Sequence, residues 1–384
     1  MGIRSDTENK NERKEKMKKT LALLLAMVMM FALCACGSSN TTPVASEAPA
    51  AAEAPAQDSA AAEPAAEVQT ENFYTDDIDT TGISVEGAEI VYLAPSLDIE
   101  YWQWVEEGVR LACEEYGATY TTFVAENSAA TQAENGETAV TLGVDAVVLS
   151  PVSSDSCASV LDPCEDAGIP VTIAAIGSTT DNYFSFISAD DYTSGYDAGT
   201  FLCQQAKALG GDSIGVLALP MDRSNAQAKM AGLELACQEN GITIAQVIQT
   251  STLTVSDSTD MCNDLLTAHP EITGIYGMYE QAGVAAVDCL ETAGLTGKIA
   301  IVSSDGSPAS IADVRTGTIA GIVVQEAVGQ GYYAAIEAFK AISGLEADAH
   351  IIQTPEPLVT AENIDSDDIQ AVLKLTYPAS AGAY

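Results

Sequence analysis

Both tryptophans of the chain fall in one tetrapeptide, Tyr101-Trp102-Gln103-Trp104. Three aromatic rings in four residues offer stacking surfaces for a flat or apolar ligand face. The residue types that convert substrates are scattered by comparison. The two histidines, His269 and His350, have no nucleophile beside them and no metal-ligand spacing. No G-x-S-x-G, P-loop or H-E-x-x-H pattern occurs. Gly210-Gly211-Asp212 reads as a helix-to-strand turn, not a phosphate cradle, and Asp190-Asp191 alternate faces. The chemistry on offer is binding: no catalytic residue, no cofactor and no metal site are expected.

The aromatic cluster follows a short apolar run, Ile90-Val91-Tyr92-Leu93, that reads as a buried strand ending at Ala94-Pro95-Ser96. A helix begins within a few residues. In an open α/β sheet, the carboxyl end of a strand where the loop enters a helix is where ligands bind. The same alternation continues down the chain. Strands are expected at residues 89–93, 119–124, 146–149, 171–174, 184–188, 213–219, 242–248, 274–278, 299–303 and 319–324, with helical segments between most of them. Gly117, Gly168, Gly241 and Gly294 each stand where a left-handed residue would close a helix just before a strand. Repeated βα units with short links give a parallel sheet covered by helices. About 290 residues of this pattern exceed one sheet, so two lobes are expected.

The front of the chain is different. Residues 1–20 hold seven of the 15 Lys and Arg, and an uncharged apolar run, Leu21–Leu33, follows. That run is short for a membrane span and has the layout of a secretory signal. It ends in Leu33-Cys34-Ala35-Cys36-Gly37-Ser38-Ser39, which resembles a bacterial lipobox. The resemblance implies removal of residues 1–35 and a lipid on Cys36. Met17-Lys18-Lys19-Thr20 is a more natural start than Met1, which would make residues 1–16 a misassigned extension. Residues 40–70 are almost entirely Ala, Pro, Glu, Ser and Thr and cannot bury enough apolar area to fold. Residues 36–86 therefore read as a tether that holds a folded domain off the membrane.

Removing residues 1–35 takes away seven basic and four acidic residues and leaves eight Lys and Arg against fifty-one Asp and Glu. Such a surface repels nucleic acid and anionic lipid, so no nucleic-acid partner is expected. The remaining cysteines, at 113, 157, 164, 203, 237, 262 and 289, are odd in number and stand in segments that read as helix. They suggest small buried hydrophobes instead of a disulfide framework.

Several pieces then occur in a telling order: Tyr101-Trp102 with Gly108 downstream, Gly143–Pro151, Gly168-Ile169-Pro170-Val171, Ala189-Asp190-Asp191 with Gly195 and Gly199, Leu266–Pro270 with Ile275-Tyr276, Ser304-Asp305-Gly306-Ser307, and Val324-Gln325. With these, residues 88–355 resemble a type I periplasmic-binding-protein fold of the ribose, galactose and xylose type, the solute-binding proteins of ABC transporters. The resemblance implies two Rossmann-like α/β lobes joined by a multi-strand hinge. Residues 87–189 and 326–346 would form the amino-terminal lobe. Residues 190–325 and 347–360 would form the other, with a last strand near His350–Gln353, and residues 361–384 would be a tail.

By the same resemblance Tyr101 and Trp102 stack on the ligand, while Asp305 and Gln325 hydrogen-bond sugar hydroxyls. Lys229 stands where sugar binders usually carry arginine, with Arg223 as an alternative cation. Tyr279 and Glu280 occupy a loop where the family commonly has Asn-Asp, to stack and accept or simply to cap the next helix. Trp104, further into its helix, is assigned to packing. The family's Asp-Arg pair after the fourth strand is replaced by Ala174-Ala175-Ile176-Gly177. The implied protein is a lipid-anchored monomer on the outer face of the cell membrane that delivers a small carbohydrate-like ligand to an ABC permease. The alternative is a lipoprotein of the same fold that presents a signalling furanose, nucleoside or other metabolite to a membrane sensor.

Overall fold

The computed structural model describes residues 78–376. The leader, the Cys36 lipobox and the linker up to residue 77 lie outside the described residues, as do residues 377–384. The first lobe begins with β1 (Glu89–Ala94), α1 (Glu100–Tyr116), β2 (Thr119–Val124), α2 (Ala129–Leu142), β3 (Ala146–Leu149), α3 (Ala158–Ala167), β4 (Val171–Ala174) and β5 (Ser185–Ala189). The second follows as α4 (Asp191–Ala208), β6 (Ser213–Ala218), α5 (Ser224–Asn240), β7 (Thr243–Gln249), α6 (Val255–Ala268), β8 (Gly274–Gly277), α7 (Glu280–Ala293), β9 (Ala300–Ser304), α8 (Pro308–Thr316) and β10 (Gly321–Val323). The chain ends with α9 (Ala327–Ile342), β11 (Ile351–Thr354), β12 (Leu358–Thr360) and α10 (Asp367–Thr376).

The strand order is β11-β5-β4-β3-β1-β2 in one sheet and β12-β10-β9-β8-β6-β7 in the other. All pairs are parallel except β10 with β12. Side chains alternate across each strand, so a central parallel strand must be apolar on both faces. In β1, Ile90, Tyr92 and Ala94 enter one apolar cluster with α1 and α9, while Val91 and Leu93 enter another on the opposite face. Five of its six residues are buried. The predicted helix-closing glycines 117, 168, 241 and 294 all have φ between 63° and 73°.

Two glycine pairs set how the helices cross. A Cβ on Gly108 would lie 2.0 Å from Val328 O, and one on Gly331 would lie 1.9 Å from Val105 O. Backbones of α1 and α9 therefore touch, with no room for any side chain there. The second lobe repeats the device: a Cβ on Gly195 or Gly232 would come within 2.2 Å of Lys229 O or Tyr192 O, where α4 crosses α5.

Three sequence expectations are corrected. The strand near residue 350 belongs to the first lobe, because β11 pairs with β5, Ile351 opposite Phe186. Only β12, beyond it, joins the second. Residues 361–384 are not simply a tail, since α10 buries Ile369 and Leu373 in the second-lobe core together with Ile364. The folded part also starts earlier than the expected tether end. Ile78 and Ile83 pack on the first-lobe core and the Ser84 amide donates to Ser343 Oγ at 2.9 Å.

Among the described residues the seven cysteines are free and buried. Cys157 sits in the turn before α3, not within a helix.

Candidate functional site

The loops beyond the strand carboxyl ends of both sheets converge on one cleft. The first lobe contributes residues 99–102 and Trp104 at the start of α1. The second contributes Arg223 and Asn225 after β6, Tyr279 and Glu280 after β8, and Asp305 after β9. Gln325, at the second crossing between lobes, and Thr376, at the end of α10, complete the wall. Ile99, extended at φ −106° and ψ 123°, turns the chain into α1, and Glu100 in the first turn suits the positive end of the helix dipole. Tyr101 and Trp104 stand three residues apart and so share a helix face. Trp102, 4% exposed, belongs to the first-lobe core as well as to the cleft, with its ring edge-on to Tyr101 at 4.8 Å.

Asp305 owes its position to its backbone. Its φ is 58°, a left-handed conformation uncommon for a residue with a side chain, and its amide donates to Val323 O at 2.9 Å. It does not cap α8, because Ser307 does so through a capping box with Ser310. Its carboxylate instead accepts from Gln325 Nε2 at 2.5 Å. Burial pushes the Asp305 carboxyl up to about 6 against the opposing pull of Lys229 and Gln325. Ala175 holds the matching place after β4 in the first sheet and is also left-handed, at φ 72°. Backbone strain of this kind collects at functional sites. Here one lobe presents a carboxylate at that corner and the other a methyl group.

The Gln325 amide that bonds Asp305 turns its Oε1 toward Tyr101 Oη, 3.2 Å away. A phenol has one proton. Gln330 Oε1 is closer, at 2.6 Å, and takes it. Gln325 Oε1 thus keeps acceptor capacity for a donor on a ligand. Burial, aided by Asp305 and Asp191, raises the Tyr101 phenol well above its ordinary range, so it stays a neutral donor.

Residues 90–346 match the profile of the periplasmic binding protein domain. The chain belongs to that family. Members of the family bind substrates outside the cytoplasm and do not convert them. The D-ribose/D-allose-binding protein of Pseudomonas aeruginosa is 23% identical over 295 residues, which cover 72% of this binding protein and 90% of that one. The ribose import binding protein RbsB of Escherichia coli is 21% identical over 238 residues, 62% of this chain and 78% of its own. A solved carbohydrate transporter solute-binding protein of Agrobacterium radiobacter, in complex with D-arabinose, is similar at a TM-score of 0.69 and 21% identity, covering 75% of this chain and 99% of its own. One from Bacillus halodurans with bound myo-inositol is similar at 0.66 and 20% identity, covering 78% and 99%. At this distance the solved structures establish the fold, and the site must be argued from its residues.

In this binding protein the lobes meet at the cleft edge. Arg223 Nε donates to Val152 O at 3.1 Å, the Ser154 amide to Asp222 O at 3.1 Å, the Ser224 amide to Ser154 Oγ at 2.9 Å, and the Gly177 amide to Ser224 Oγ at 2.8 Å. Residues 152, 154 and 177 come from the first lobe and 222–224 from the second, so these bonds latch a closed state. The cavity left between them is ≈ 50 Å³, room for a few waters. A sugar-sized solute enters only if the latch opens and the lobes part about their three crossings.

Of the residues expected at the site, Tyr101, Trp102, Tyr279, Asp305 and Gln325 line this cleft together. Tyr279 is 3% exposed and its hydroxyl bonds Ser258 Oγ at 2.8 Å, so it presents ring to the cavity and not phenol. Lys229 is not brought there. It is 0% exposed, and its ammonium pairs with Asp191 Oδ1 at 2.8 Å and with Glu356 Oε1. Burial opposes the charge, but these carboxylates outweigh it and hold the ammonium well above its usual range. Asp191 follows the first crossing and Glu356 lies in the third, so Lys229 ties the hinge strands together. Trp104, expected only to pack, is half-buried, lines the cleft and touches the cores of both lobes. The helical spacing from Tyr101 carried that signal. Thr376 had none, because α10 reaches the cleft from the far end of the chain.

Proposed function

We propose that this chain is a lipid-anchored solute-binding protein that closes on a small, carbohydrate-like ligand and hands it to an ABC permease in the membrane. One observation carries the reading. Aromatic rings at the start of α1 in one lobe face Asp305 and Gln325 at the edge of the other, across a closable cleft. Rings cover the apolar face of a sugar, and a carboxylate accepts from two hydroxyls at once. Binding proteins with similar sequences are named for ribose, allose and xylitol, which supports a polyhydroxylated ligand. The lipobox-like segment at Cys36 supports the anchor, and a monomer is the form expected to meet a permease.

A thermal-shift panel of sugars, polyols, nucleosides and small metabolites on the mature chain tests the ligand class. A binder raises the melting temperature in proportion to the logarithm of its concentration once that exceeds Kd. Trp102→Ala and Asp305→Ala are each expected to abolish that shift while the variant still melts cooperatively. A shift that survives both substitutions would place the ligand elsewhere.

A further inference from the structure

We infer that the cleft selects a ligand bearing a protonated amine, an amino sugar or amino cyclitol, over its neutral hydroxyl counterpart. The inference rests on the carbohydrate-like reading above and names the charge of the ligand within it.

The first observation is a charge imbalance. Asp305 and Glu280 both line the cavity, and among the described residues neither has an ion-pair partner. The cation that acts on Asp305 is Lys229, which Asp191 and Glu356 already share. Glu100 adds a third carboxylate at the exposed rim and raises Glu280 beyond the effect of its burial. Arg223 does line the same cavity, but it is committed across the lobes to Val152 O and pairs with neither Asp305 nor Glu280. A neutral sugar would leave Asp305 and Glu280 without an ion-pair partner, and an acidic sugar would add a like charge beside them. An ammonium supplies the missing charge and three donors. Gln325 Oε1 adds a neutral acceptor at the same end of the cavity.

The second observation is independent of the carboxylates. Tyr101, Trp102, Trp104 and Tyr279 all line this same small cavity. Ring faces attract a cation, the more so when water is excluded. The third is the field of the whole molecule. Fifty-one acidic residues against eight basic ones in the mature chain draw cations toward the cleft and repel anions.

The test uses matched pairs on the purified mature chain: D-glucosamine with D-glucose, D-galactosamine with D-galactose, and an aminocyclitol with myo-inositol. Affinity is read by calorimetry at 50 mM and 500 mM salt. The expected result is that within a pair that binds, the amino member binds about tenfold tighter at low salt, the ratio one charge-assisted contact supplies. That gap narrows at high salt. Glu280→Gln is expected to cost the amino member about tenfold and the neutral member markedly less. The wild-type pairs decide the matter even if that variant does not fold. If the neutral member binds equally or more tightly in every pair that binds, the amine preference falls while the carbohydrate-like reading stands. If no member of any pair binds, the amine preference falls, and the wider panel of sugars and polyols decides the carbohydrate-like reading.

Discussion

The Tyr101 hydroxyl donates to Gln330 Oε1 at 2.6 Å, and this bond joins the cleft to the hinge. Gln330 Nε2 donates in turn to Thr354 Oγ1 at 3.2 Å, and that hydroxyl donates to Ser188 O at 3.2 Å. Ser188 precedes the first crossing, Gln330 follows the second and Thr354 precedes the third. One chain of hydrogen bonds therefore runs from the ligand wall past all three strands on which the lobes pivot.

Tyr101→Phe keeps the ring and removes the proton that Gln330 accepts. Gln330 is 0% exposed, so its oxygen is left without a partner, at a cost of about 1–3 kcal/mol. Denaturant unfolding of the free protein is expected to lose that amount. Ligand affinity is expected to fall as well, because the closed hinge is no longer braced from the cleft. Unchanged stability would mean that the amide rotates to another donor and that the chain of bonds is not structural.

The pH dependence of stability follows from buried carboxyls, Asp305, Glu337 and Glu356 among them. Burial pushes Asp305 up to about 6 and Glu337 and Glu356 up to about 7, in each case against the pull of a nearby lysine. All three groups hold protons more tightly folded than unfolded. Their contribution is therefore complete below the ordinary carboxylate range and is lost as pH climbs through 6 and 7. The melting temperature of the ligand-free protein is expected to fall between pH 5 and pH 8. Asp305→Asn should flatten the part of that decline centred near 6. A melting temperature that rises across the interval would contradict these assignments.

The helix crossing gives a sharper expectation. Gly108→Ala drives a methyl group into Val328 O, where an ideal Cβ would lie only 2.0 Å away, so α1 and α9 must separate. The cost is expected to reach the upper end of the 1–3 kcal/mol typical of overpacking, or more. Because α1 carries Tyr101 and Trp104, ligand binding should weaken together with stability. Gly143→Ala, where no atom lies within 4 Å of the added carbon, is the control for crowding. It is strained only by its φ of 69°. Equal losses at the two positions would remove the packing explanation.

Local pattern made much of this architecture legible in the sequence. The apolar runs at 146–149 and 171–174 form strands with those bounds, because a buried parallel strand needs no long-range information to be apolar. Sheet membership was harder to read. Ile351–Thr354 alternates like an edge strand, and nothing local says whether β5 or β10 waits beside it. The helix α10 had a readable signal in Ile369 and Leu373, four residues apart. Lys229 marks the limit. Its type suited a ligand contact, yet Glu356, one of the two groups that claim it, lies 127 positions away.

That ion cluster supplies the remaining prediction. Lys229→Met keeps the length of the side chain and removes its charge, leaving Asp191 and Glu356 buried without a cation. Losing one partner of such a cluster costs about 3–5 kcal/mol. The penalty should depend on pH. Burial already raises Asp191 and pushes Glu356 up to about 7 in the presence of Lys229, and without it both rise further. At pH 5 the two carboxyls then hold their protons and the variant recovers part of its stability. At pH 8 they must ionise and repel, and the full loss returns. A residue that served the ligand would behave in the opposite way, with a melting temperature near wild type and a Kd that rises. Melting curves of Lys229→Met at pH 5 and pH 8, with and without ligand, separate a hinge tie from a ligand contact.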